Sequence, residues 1–107
     1  MKQGARFKLE IGFATALDEV QRIEFKFVQG ATSLRFSYPS AVAQRKPNSN
    51  IVELLWTAEQ TWMFRPGPVK MDTLVTMKYT DLQPDTNIVT LDMVPTLFTK
   101  QEVNELG

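Results

Sequence analysis

The side chains of this chain that could do chemistry are carboxylates and aromatics. Its 107 residues include no histidine and no cysteine. That removes the usual general base near neutral pH, the thiolate nucleophile, the disulfide and the commonest transition-metal ligands. Ser-His-Asp and Cys-His arrangements are therefore unavailable. For acid–base work the candidates include Asp18, Glu19, Glu24, Glu53, Asp72, Asp81, Asp85 and Asp92. A glycosidase needs two carboxyls facing each other across a cleft. These positions are instead scattered, as expected of solvated strand faces where cross-strand pairing with Lys26, Lys70 or Lys78 would neutralise them.

Calcium is the metal such a composition excludes least, since it takes oxygen ligands. Asp81, Asp85 and Asn87 share one segment, but it lacks the dense Asp/Asn spacing and central glycine of a calcium loop and reads as a turn. No metal and no cofactor is expected, and the glycines form no phosphate-binding pattern. The aromatics Trp56, Trp62 and Tyr79 are the candidate ligand or partner contacts, because such rings stack on sugars and anchor interfaces. The plainer reading has the tryptophans filling the ends of a core and the tyrosines anchoring strand edges.

Twelve basic residues balance twelve acidic ones, so the basic face that nucleic-acid binding requires is not expected. No apolar run approaches the roughly 18 residues of a spanning helix, and the first residues have no apolar signal-peptide core. Neither a nucleic acid nor a membrane is an expected partner.

The elements that must position these residues alternate with period two. Phe7, Leu9, Ile11 and Phe13 alternate with Lys8, Glu10 and Gly12; Ile23, Phe25 and Phe27 alternate with Arg22, Glu24 and Lys26. Gln29-Gly30-Ala31 is a hairpin-sized turn, and Leu34, Phe36 and Tyr38 follow before Pro39 stops the strand. A weak strand at Val42 leads to the turn cluster Lys46 to Asn50. Ile51 to Trp56 is apolar almost throughout, as in a central strand covered on both faces. Thr57 and Gln60 have capping-box spacing, which predicts one helical turn with Trp62 and Phe64 plugging the end of the core.

Arg65-Pro66-Gly67-Pro68 reads as an irregular turn. Val69 to Tyr79 and Asn87 to Val94 are the last strands, and Pro95 ends the pattern. Residues 1–98 form the predicted domain; 99–107 are a polar tail in which Thr99 and Glu102 repeat the capping-box spacing. The fold class is all-β: an antiparallel β-sandwich of about seven strands, Ig-like or jelly-roll-like, with a partly open barrel as the alternative.

The order of units carries a resemblance. Gly4 to Phe13, then Ala14 to Val20 leading into Arg22 to Gly30, then Val52 to Phe64, and finally Asn87 to Leu91 resemble small phage and prophage proteins of Gram-positive bacteria encoded near tail and baseplate genes. More distantly, the chain is similar to the N-terminal β-sandwich domain of phage upper baseplate protein. Trp56 stands where those proteins have a small or aliphatic residue, and Met71 to Leu74 replaces a valine- and arginine-rich strand. The resemblance implies a non-enzymatic structural protein whose partners are other phage structural proteins or itself, made in the cytoplasm and built into a virion tail. The alternative is a carbohydrate-binding module using Trp56, Trp62 or Tyr79.

Overall fold

The computed structural model describes residues 1–84 and 88–97. Among them, seven strands form two antiparallel sheets: β1 (Phe7–Gly12), β2 (Val20–Gln29), β3 (Thr32–Tyr38), β4 (Ala43–Arg45), β5 (Ile51–Trp56), β6 (Gly67–Met77) and β7 (Val89–Met93). The smaller sheet runs β1-β5-β4 and the larger β3-β2-β6-β7. The expected all-β sandwich is what the chain forms. A 3-10 turn (Leu17–Glu19) joins β1 to β2, and a short helix α1 (Ala58–Trp62) joins β5 to β6.

The inward faces follow from the alternation. Ile23, Phe25 and Phe27 of β2, Phe36 of β3, Val69, Met71 and Val75 of β6 and Met93 of β7 line one side of the core. Val52, Leu54 and Trp56 of β5 and Ala43 of β4 line the other, with Phe64 and Leu17 at the ends. A register shift between Val20 and Arg22 lets both Val20 and Ile23 point inward although they are three residues apart. Between β2 and β3 the two-residue turn begins at Gly30, whose φ of 57° suits glycine. Helix α1 has the full capping box: Thr57 Oγ1 accepts from Gln60 N–H, and Gln60 Oε1 accepts from Thr57 N–H.

Several expectations change. β5 is central but covered on one face only; Leu55 is 41% exposed, because nothing among the described residues packs on the outside of the smaller sheet. Gly67 and Pro68 belong to β6, paired with Met93 and Asp92 of β7. Proline is tolerated there because β2 reaches β6 only as far as Lys70, so no partner strand needs the missing N–H. At its other end β6 stops at Met77 rather than Tyr79. Val20 is its last β2 partner and Lys78 N–H donates to Glu19 O as the final bond. The plug at the core end is Phe64 with Thr61, whereas Trp62 lies half-buried against Gly4. The 99–107 tail and its capping box lie outside the described residues.

Candidate functional site

The surface feature with the clearest capacity for interaction is the outer edge of β1. Among the described residues β1 pairs with β5 alone. Phe13 N–H donates to Asn50 O across that pair, while Leu55 N–H donates away from β1 to Val42 O. Backbone groups alternate sides along a strand, so the odd residues of β1 bond to β5. Lys8, Glu10 and Gly12 therefore point their N–H and C=O groups outward, a row open to another strand.

The outer face beside this edge is part apolar, part charged. Lys8 of β1, Leu55 of β5 and Val42, in the turn just before β4, form one row; Leu55 is 41% and Val42 43% exposed. A groove of about 590 Å³ opens there, lined by Arg6, Lys8, Val42, Leu55 and Glu59 among others. One row along, Glu10 and Glu53 stand directly opposite each other. That repulsion is offset by Lys8 Nζ, 3.3 Å from Glu53 Oε2, and Lys46 Nζ, 3.7 Å from Glu10 Oε2.

On the larger sheet's outer face Glu24 is the hub. Ser37 Oγ donates to its two carboxylate oxygens at 2.9 and 2.8 Å, and Arg22 and Arg35 lie 3.5 and 3.6 Å away. At the loop end, Arg45 donates to Asp18 and, at 2.7 Å, to Ser49 O. The Arg45 hydrogen bond and charge hold the Asp18 carboxyl below the usual carboxylate range. The ion pairs among the described residues run through Lys8, Arg22, Arg35, Arg45 and Lys46 rather than through the expected Lys26, Lys70 or Lys78. The carboxylates Glu10 and Glu53 are neighbours on an open sheet face, not partners across a cleft.

The aromatic candidates are not brought together. Trp56 is 2% exposed and packs edge-on to Phe27 at 4.7 Å between ring centroids, with Phe36 at 5.3 Å and Phe64 at 5.8 Å. Trp62 is half-buried, and Tyr79 is 84% exposed beyond the end of β6. Of the three, Tyr79 alone presents a broadly solvated ring. The indole N–H groups of Trp56 and Trp62 are both buried, with no hydrogen-bond partner among the described residues. Asp81 is exposed, and Asp85 and Asn87, its expected companions at a cation, lie outside the described residues. Among the described residues no three acidic side chains converge as metal ligands would.

Sequence reasoning passed over the role of Gln29 and the open β1 edge, and it placed Glu24 on a strand face without its partners Ser37, Arg22 and Arg35. Leu55, the apolar residue that a strict alternation would make polar, was the available signal for the groove. No protein-family model, curated protein or solved structure matches the chain. No described helix is long and apolar enough to cross a membrane.

Proposed function

We propose that the protein is a non-enzymatic assembly module of a phage or prophage tail or baseplate, acting through contacts with neighbouring protein subunits. The tail setting rests on the sequence resemblance, and with it follows synthesis in the cytoplasm and incorporation into the virion. The observation that carries the mode of action is the outward row of backbone donors and acceptors on β1. An open edge beside a partly apolar face suits strand addition by another chain, with the backbone supplying affinity and alternate side chains supplying register.

The test is co-expression with the proteins encoded beside this one, followed by mass measurement by light scattering over a wide concentration range. A stable complex with a neighbour or with itself is the expected result. A strict monomer that binds none of those neighbours would end this reading.

A further inference from the structure

The charge pattern of β1 names one partner for that edge, and this step rests on the assembly reading above. We propose that β1 pairs antiparallel with β1 of a second copy, about a twofold axis at Leu9. Such a dimer joins two three-stranded sheets into one continuous six-stranded sheet, ordered β4-β5-β1-β1-β5-β4.

Three observations converge on that register. The first is backbone parity. Pairing centred on Leu9 sets Lys8 opposite Glu10 of the second copy, and both are residues whose N–H and C=O face the open edge. They form a hydrogen-bonded pair, and Leu9 meets its own copy as a non-hydrogen-bonded pair, as antiparallel geometry demands.

The second is charge. The twofold axis generates the Lys8–Glu10 contact twice, with opposite signs at each. Arg6 falls opposite Gly12, where a Cβ would meet nothing within 4 Å, so its long side chain has room to lean toward the same glutamate. In the single chain Lys8 and Glu10 are only loosely held, their side chains 54% and 43% exposed.

The third is the inward face, where Phe7, Leu9 and Ile11 are half-buried against the core. The proposed register sets Phe7 beside Ile11 and Leu9 beside Leu9, covering apolar surface that the lone edge leaves partly exposed.

The other edges suit a twofold less well. β3 has Arg35 at its midpoint, so the equivalent pairing sets like charges face to face. β4 has three residues, and residues 1–3 already occupy part of the β7 edge through Gln3 N–H to Val94 O and Val94 N–H to Met1 O.

Sedimentation equilibrium on the whole chain tests this with three variants. Glu10→Lys sets lysine against Lys8 at both symmetric contacts and should raise the dimer Kd by about 10- to 30-fold. The double exchange Lys8→Glu with Glu10→Lys restores opposite charges across the axis and should recover most of that loss. Glu10→Pro removes an outward N–H without touching the β1–β5 ladder, and should give a folded monomer by circular dichroism.

A dimer that survives both single variants unchanged overturns the β1 register while leaving the assembly reading standing. A wild-type monomer that still binds a neighbouring tail protein overturns the dimer alone. A monomer that binds no neighbour ends both.

Discussion

Gly4 shows how one residue decides whether the end of the sandwich closes. It is buried, its φ is 78°, and a Cβ added there would sit 2.6 Å from the Trp62 ring. Both the left-handed backbone and the close ring demand glycine. Gly4→Ala should therefore cost about 1–3 kcal/mol, read as a fall in urea midpoint with unchanged slope. An unchanged midpoint would mean that Trp62 can leave its place without penalty. Trp56 is a different case, because its indole N–H finds no partner among the described residues while its ring meets three phenylalanines. Its value lies in the ring. Trp56→Ala should cost about 3–5 kcal/mol, whereas Trp56→Phe keeps an aromatic face and discards the orphaned donor, so its loss should be distinctly smaller. Equal losses in thermal melts would show that the indole nitrogen matters after all.

At the scale of elements, the connections hold more than their sequence advertised. Alternation made β1, β2, β3 and β6 legible because each has one wet face and one dry face. It failed at Gly67-Pro68, where pairing depends on which neighbouring strand has already ended, and that is a tertiary fact. Gln29 could not be singled out for the same reason. Its Nε2 donates to Arg65 O at 2.9 Å and Pro68 O at 3.2 Å, and its Oε1 accepts from Arg65 N–H at 2.7 Å. The side-chain amide thus continues β2's ladder past its end, bonding a segment whose two prolines cannot donate. Gln29→Ala should cost about 1–2 kcal/mol, and Gln29→Glu should rescue little, since a carboxylate cannot donate to Arg65 O or Pro68 O.

The Asp18–Arg45 contact makes a second, pH-dependent tie, joining the 3-10 turn to β4. Leu17 N–H adds to it by donating to Asn50 Oδ1 at 3.1 Å. Because Arg45 lowers the Asp18 pKa in the folded chain, the tie stabilises fully above the unfolded carboxylate pKa. It is lost as pH falls through the lower, folded value. Asp18→Asn should leave stability near neutral pH slightly reduced and flatten its decline below about pH 4. An identical acid limb in the variant would show the contact to be energetically idle, as many exposed pairs are.

For the whole molecule, the question is what binds a three-stranded sheet to a four-stranded one as a single cooperative unit. The core supplies most of it, but the segment before β1 supplies a lock that no local pattern revealed. Residues 1–3 run beside the end of β7, with Gln3 N–H donating to Val94 O at 2.8 Å and Val94 N–H donating to Met1 O at 2.6 Å. Gln3 Nε2 donates to Phe64 O at 3.0 Å, and the buried Thr61 Oγ1 donates to Ala5 O at 2.9 Å. One short stretch thus touches β7 of the larger sheet, the plug after α1, and β1 of the smaller sheet.

Removing residues 1–5 should therefore destabilise both sheets together. Five hydrogen bonds to the rest of the chain, the N-terminal ammonium to Asp92 O included, at about 1 kcal/mol each set the loss near 4–5 kcal/mol, a large share of the roughly 5–15 kcal/mol typical of a domain. The distinguishing readout is cooperativity. Tryptophan fluorescence, which senses Trp62 beside the deleted segment and Trp56 in the core, should still fall in one transition coincident with far-ultraviolet circular dichroism. Early loss of a fluorescence phase at unchanged circular dichroism midpoint would mean that the segment merely covers Trp62, and that the two sheets are held together by their core alone.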